Sequence, residues 1–153
     1  MSPVQPIPKG YHSIQPYLYI RGAARAIEFY QQAFGAQEVM RMTQPDGRLG
    51  HAEIRIGDSV VMLADERPEK DINGPEHYGG APFSLMVYVE DCDAVYRKAI
   101  AAGATSLREP RDEFYGDRMA GVKDPFGFQW WMATHIKDVS EEEMKAAMAG
   151  QGS

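Results

Sequence analysis

Apolar and polar residues alternate over positions 13–20, near the start of the chain. Leu18 and Ile20 fall on the apolar side, and tyrosines fall on the other side. A period of two indicates a strand with one buried face. We therefore predict a strand over 13–20. Residues 1–11 contain three prolines and should form an extended arm before it.

A helix and three strands are predicted next. Apolar residues recur at helical spacing over 23–34, and Gly35 provides a stop for this helix. Alternating segments separated by Pro-Asp-Gly and Gly-Asp turns then indicate strands. These strands cover residues 37–43, 50–56 and 59–64.

The same order of elements returns after a long irregular loop over 65–82. A strand is predicted over 83–89, followed by a helix that Asp91 or Asp93 caps and that runs to Ala102. A short strand over 105–107 and a charged loop come next. A hairpin then spans residues 114–132.

The turn of this hairpin is predicted at Asp124-Pro125-Phe126-Gly127, where Pro and Gly suit a type I turn. A last helix should begin at Ser140, because Ser140 and Glu143 have the spacing of a capping box.

Each half of the chain therefore reads as strand, helix and three strands. Three strands joined by short turns favour mixed sheets with helices on one face, and thus an α+β fold of two tandem βαβββ modules. We predict a single domain over 1–153. Its parts are a first module (12–65), a connecting loop (66–82), a second module (83–134), and a C-terminal helix and tail (135–153).

Charge and composition narrow the choice of partners. The chain has 16 basic and 22 acidic residues, a formal charge of −6, and no Lys/Arg cluster, which argues against nucleic acid. No segment approaches the ~20 apolar residues of a membrane span. Cys92 is the only cysteine, so we expect a reducing, cytoplasmic setting.

His51, Glu53 and Arg55 alternate on one predicted strand and so share a face. His51 and Glu53 are our candidates for an acid–base pair or for metal ligands. The alternative is that these residues form the polar side of a half-exposed strand.

A second group of candidates is aromatic or contains Met. If the strand parities are right, its members line one concavity suited to a flat organic ligand. The same side chains would also suit a plain core or a dimer seam. The group comprises Tyr17, Tyr19, Met62, Met86, Tyr88 and Trp131. Arg118, on the strand that enters the hairpin, is a candidate for holding a carboxylate or phosphate, or else pairs with Glu113 or Asp117 at the surface.

The duplicated pattern and three motifs resemble the vicinal oxygen chelate superfamily of glyoxalases, bleomycin-resistance proteins and dioxygenases, in particular its PhnB-like branch. The motifs are Ala26-Ile-Glu-Phe-Tyr30, Gly50-His-Ala-Glu-Ile-Arg-Ile-Gly-Asp-Ser-Val-Val-Met-Leu63, and Gly116-Asp-Arg with Lys123-Asp-Pro-Phe-Gly127. The resemblance covers residues 14–134 and implies a homodimer.

Metal-dependent members of this superfamily take His, Gln or Glu ligands from matching strands. The resemblance places these ligands at Gln15, Met62, Ser84 and Trp131, of which Gln15 alone is a usual ligand. We therefore expect no cofactor and a small-molecule binding or sequestering role, with Gln15 and Ser84 among the ligand contacts. The alternative is a lyase, isomerase or dioxygenase with a divalent metal on Gln15, His51 and Glu53.

Overall fold

A computed structural model describes residues 3–151 of the chain. The chain divides into two compact units. The first comprises the chain up to Pro82 together with Pro125–Gly127. The second comprises Phe83–Asp124 and the chain from Phe128 onward.

The first unit is a four-stranded mixed sheet with one long helix. Its strand order is β1-β4-β3-β2, in which β1 is parallel to β4 and the other pairs are antiparallel. This arrangement confirms the predicted module. Its elements are β1 (Tyr17–Ile20), α1 (Ala23–Phe34), β2 (Gln37–Thr43), β3 (Leu49–Ile56) and β4 (Ser59–Asp65).

Helix α1 covers one face of this sheet and packs against β1, β3 and β4. Its apolar stripe, which includes Ile27 and Tyr30, is fully buried, as are Ile54 and Leu63 of the sheet. The Asp65 carboxylate accepts hydrogen bonds from the first backbone N–H groups of the helix, where a negative charge is stabilising. Gly35 ends α1 in the left-handed conformation (φ 67°), as predicted.

Two predictions in this unit need correction. The strand predicted over 13–20 is shorter, because Pro16 has no N–H to donate and only its carbonyl pairs, with the Met62 N–H. The loop predicted as irregular contains a 3-10 turn at Pro68–Lys70 and helix α2 at Pro75–Tyr78. Proline at the first helical position favours both.

The second unit repeats this plan, with strand order β5-β8-β7-β6 and β5 parallel to β8. Helix α3 packs against β6, β7 and β8, and the Asp91 carboxylate caps its first turn by accepting from Ala94 N–H. The elements are β5 (Ser84–Tyr88), α3 (Cys92–Ala101), β6 (Thr105–Asp112), β7 (Asp117–Lys123), β8 (Gln129–His135) and α4 (Glu141–Gln151).

Strand β6 extends well beyond the predicted 105–107. Pro110 lies within it, which an edge strand tolerates, and the pairing shifts between Arg108 and Arg111. The last helix has the predicted cap, since Ser140 Oγ accepts from Glu143 N–H at 3.1 Å.

Cys92 is buried at the start of α3. Its thiol donates to the Met132 carbonyl at 3.4 Å, and burial together with Asp93 raises its pKa. Over residues 3–151, no helix is both long enough and apolar enough to cross a membrane.

Candidate functional site

In the first sheet, the face turned away from α1 carries five of the predicted site residues, namely Tyr17, Tyr19, His51, Glu53 and Met62. Backbone pairing aligns Met40, Glu53, Met62 and Tyr17 in one row across the four strands. Glu53 therefore lies at the centre of this face, although it is only 6% exposed. A central buried carboxylate needs partners, because burial without them is costly.

Those partners form a continuous hydrogen-bonded chain. The Tyr11 hydroxyl donates to Glu53 Oε1. Glu53 Oε2 is 2.7 Å from His51 Nε2, and His51 Nδ1 is 2.7 Å from the Tyr17 hydroxyl. The structure thus brings the predicted pair, His51 and Glu53, together with Tyr17.

One protonation pattern satisfies every atom of this chain. If Glu53 is ionised, it accepts from both neighbours, His51 carries its proton on Nε2, and Nδ1 accepts from Tyr17. The pKa of Glu53 supports this pattern. Burial tends to raise it, but the hydrogen bonds from Tyr11 and His51 outweigh burial and lower it. The bond to Glu53 in turn raises the pKa of Tyr11.

Aromatic rings flank this chain. The rings of Tyr17 and Tyr19 lie 5.1 Å apart, and Tyr17 lies 5.4 Å from the His51 ring. Both tyrosines remain 38% exposed. Burial and the neighbouring Tyr19 raise the pKa of Tyr17, so its hydroxyl stays a proton donor at neutral pH.

The second sheet has a different row at its centre. Pairing aligns Arg108, Gly121, Trp131 and Met86 across the four strands. A Cβ atom on Gly121 would lie 2.5 Å from the Trp131 ring, so the absence of a side chain there makes room for the indole. The Arg108 guanidinium lies 5.2 Å from the centre of the same ring, within cation–π range.

A second tyrosine–histidine–carboxylate group lies on this face. Buried Asp117 accepts from the Tyr88 hydroxyl at 3.2 Å and is 2.7 Å from His135 Nδ1. The other ring nitrogen of His135 is 2.7 Å from Asp138. Hydrogen bonds to Asp138 and Asp117 raise the pKa of His135.

Of the remaining predicted residues, Ser84 shares its strand face with Met86 and so lies on the Trp131 face, whereas Arg118 does not. Arg118 lies on the opposite face of β7 from Gly121, and its guanidinium binds Asp93 and Asp112, so it does not join the Trp131 face. Arg118 is thus ion-paired, but with these two carboxylates rather than with the predicted Glu113 or Asp117. Gln15 accepts from the His12 N–H at 2.5 Å, and Ser84 donates to Gln129 at 3.4 Å.

Sequence reasoning missed Tyr11, Arg108 and Asp117 as members of these faces. Tyr11 stands in the proline-rich arm, where no periodicity indicates what a side chain contacts. Arg108 falls outside the short strand that was predicted. Asp117 could have been predicted, because its even separation from Gly121 puts both residues on the same face of the strand.

These residues do not fit a divalent metal ion. His51 and Glu53 are hydrogen-bonded to each other, and the Gln15 side-chain oxygen already accepts a hydrogen bond from the His12 backbone N–H. Met62 and Trp131 offer no hard ligand atom. Within the part of the chain that the structure describes, no group of three His, Cys, Asp or Glu side chains is placed to hold a metal.

Comparisons with known proteins agree with the fold. The uncharacterized protein Rv0887c of Mycobacterium tuberculosis is 40% identical over 144 residues, which is 92% of this chain and 84% of that protein. A crystal structure of a glyoxalase/bleomycin resistance protein/dioxygenase family enzyme from Burkholderia phytofirmans superimposes with a TM-score of 0.62. It has 24% identity and covers 78% of this chain and 95% of that one.

A PhnB protein from Bacillus cereus has the same TM-score of 0.62, with 19% identity, over 80% of this chain and 99% of its own. These structural likenesses concern the fold. The family model of the Glyoxalase/Bleomycin resistance protein/Dioxygenase superfamily matches residues 11–132. The chain therefore belongs to the Glyoxalase/Bleomycin resistance protein/Dioxygenase superfamily.

Proposed function

We propose that the protein binds or sequesters a small organic molecule and needs no metal to do so. The proposal rests on the residues that stand in the central row of each sheet. Met62 and Trp131 stand where the superfamily resemblance places metal ligands. Both lie beside partly exposed aromatic or Met side chains on their own sheets.

Such surfaces suit a flat or amphipathic ligand. In the second unit, Met86 is 52% exposed and Tyr88 is 64% exposed on the face that carries Trp131. Aromatic rings and Met side chains bury a large area on contact and adapt their shape to different ligands. Exposed apolar groups clustered on one face mark interaction sites more often than isolated ones do.

A pair of tryptophans allows a matched test. Trp131 and Trp130 are adjacent on β8 and point to opposite faces, and Trp130 is 2% exposed. Trp131→Ala should weaken binding of a panel of aromatic dyes at least tenfold, as loss of a central aromatic contact does. Trp130→Phe should leave dye binding unchanged. Equal affinity of the Trp131→Ala and unaltered proteins would contradict the proposal.

Metal content is the second test. Elemental analysis of the purified protein should give no stoichiometric Zn, Ni, Mn or Fe. Full dye binding should also persist after dialysis against EDTA. A stoichiometric ion that dye binding requires would overturn the metal-free part of the proposal.

The hydrogen-bonded chain in the first unit favours a second candidate, an acid–base enzyme such as an isomerase or lyase. Glu53 orients His51 so that Nδ1 is the basic atom, and Tyr17 stands next to it as a donor. The corresponding test is exchange of solvent deuterium into the α-positions of a panel of carbonyl compounds, followed by NMR. His51→Gln should abolish any exchange, and equal exchange in both proteins would remove this candidate.

The PhnB-like branch, the homodimer and the cytoplasmic setting remain parts of this proposal. The likeness to the Bacillus cereus PhnB protein supports the branch. Light scattering on the eluting protein tests the dimer, for which we expect twice the chain mass of 17.1 kDa.

A further inference from the structure

The N-terminal arm, taken here as residues 3–16, contacts the face of the first sheet that is turned away from α1. The Tyr11 hydroxyl reaches Glu53, and Arg55 Nη1 donates to the Gly10 carbonyl at 3.3 Å. Gly10 has a φ of 87°, in the left-handed region that glycine accepts without strain. This turn directs Tyr11 towards the centre of the sheet.

Much of the rest of the arm is exposed to solvent. Residues 3–16 form no helix or strand, and Val4 is 93% exposed and Ile14 85% exposed. A segment with little buried apolar surface opens at low free-energy cost. Opening of the arm would therefore withdraw the Tyr11 phenol from Glu53.

Beneath the phenol, Glu53 is fixed in position. Its second oxygen is bound to His51, it is 6% exposed, and its carboxyl is held in the ionised form. An oriented carboxylate of this kind accepts a neutral O–H donor strongly and repels an anion. The Tyr17 ring and Met62 lie in the same row and offer apolar contact to a ring.

We propose that Glu53 anchors a site for hydroxylated aromatic molecules, and that Tyr11 of the arm occupies this site until such a molecule displaces it. The arm supplies an aromatic ring with one hydroxyl donor, which is the ligand chemistry that the site selects. This inference rests on the proposed binding function and names its ligand class. It also identifies Tyr11 as an internal competitor, whose removal should raise the apparent affinity.

Three probes that differ in one group test this selection. These are 4-nitrophenol, 4-nitroanisole, which lacks the donor, and 4-nitrobenzoate, which is an anion. Binding to the full-length protein is measured by calorimetry at a pH where the phenol is neutral. Tyr11→Ala should tighten binding of the phenol about tenfold, the equivalent of one hydrogen bond to a charged group. Tyr11→Phe should tighten it less, because the ring remains.

Two matched variants complete the design. Val4→Ala lies in the same arm away from Glu53 and should not change binding. In a Tyr11→Ala background, Glu53→Gln should remove the preference for 4-nitrophenol over 4-nitroanisole and weaken the exclusion of 4-nitrobenzoate. Circular dichroism melting of each variant checks that the fold is retained.

The outcomes separate this inference from the proposed function. If 4-nitrophenol and 4-nitroanisole bind equally, or if Tyr11→Ala leaves phenol affinity unchanged, the inference is wrong although aromatic binding stands. If none of the probes binds Tyr11→Ala, the inference is also wrong. If in addition no aromatic dye responds to Trp131→Ala, the proposed function fails too.

Discussion

Glu53 in the first sheet and Gly121 in the second hold the same place in their pairing patterns, beside Met62 and Trp131 respectively. In the first sheet a carboxylate fills the centre and is satisfied by tyrosine and histidine. In the second sheet the side chain is absent, and an indole takes the space. A duplicated fold thus offers a polar anchor on one face and an aromatic platform on the other.

The two faces also order the same three residue types differently. In the first sheet, His51 lies between Tyr17 and Glu53, so the carboxylate orients the imidazole towards tyrosine. In the second sheet, Asp117 lies between Tyr88 and His135. Only the first arrangement leaves a basic ring nitrogen next to a partly exposed hydroxyl, so the proposed acid–base candidate concerns that face alone.

The largest effect should come from giving the second sheet a side chain at its centre. Gly121→Val forces branched carbons against the rigid Trp131 ring, and we expect the free energy of unfolding to fall by about 3 kcal/mol. Urea unfolding measures it. Gly50→Ala on β3 is the control, since the nearest atoms belong to the flexible Gln44 side chain, and it should be nearly neutral. If the clash is the cause, Trp131→Ala should restore part of the lost stability.

A smaller loss should follow from neutralising the centre of the first sheet. Glu53→Gln keeps the shape but replaces two charge-assisted hydrogen bonds, and we expect a loss of about 1–2 kcal/mol in urea unfolding. Glu38→Gln on β2 removes only an exposed ion pair and should change stability by less than about 0.5 kcal/mol. Equal losses in the two variants would mean that the hydrogen-bonded chain adds nothing.

The same carboxylate should make stability depend on acid pH. The pKa of Glu53 is lowered in the folded protein, so its contribution is complete above its usual pKa of 4.5 and is lost as the pH falls through the folded value. Urea unfolding at a series of acidic pH values should show this loss in the unaltered protein. The Glu53→Gln variant should show a shallower slope over the same window.

The smallest effect concerns His135 on the second face. Its folded pKa is raised by Asp138 and Asp117, so its contribution to stability is complete below the usual value of 6.5 and is lost as the pH rises through the folded value. Asp117→Asn should lower the pKa of His135 in an NMR titration. An unchanged titration would show that Asp117 does not orient this histidine.

Local pattern was enough to predict most of the fold. The bounds of α1 and β2 agree with the prediction, because Gly35 and the turn residues act on their immediate neighbours. The length of β6 was missed, since backbone pairing with β7 extends the strand through Pro110 despite its poor strand propensity.

The site was predicted less completely for a related reason. Strand parity placed His51 and Glu53 on one face, and the structure adds their hydrogen bond. Arg118 is separated from Gly121 by an odd number of positions, which puts it on the other face of β7. The contact between Tyr11 and Glu53 spans 42 positions, and no local signal encodes it.

The burial of Cys92 gives one half of the molecule a built-in reporter. A thiol that is 1% exposed, bonded to the Met132 carbonyl and raised in pKa reacts with a labelling reagent only after its surroundings open. Because the chain has one cysteine, the rate of modification by a maleimide under native conditions counts openings of the second unit alone. A ligand of the second sheet should slow this modification of Cys92, whereas a ligand of the first sheet should not.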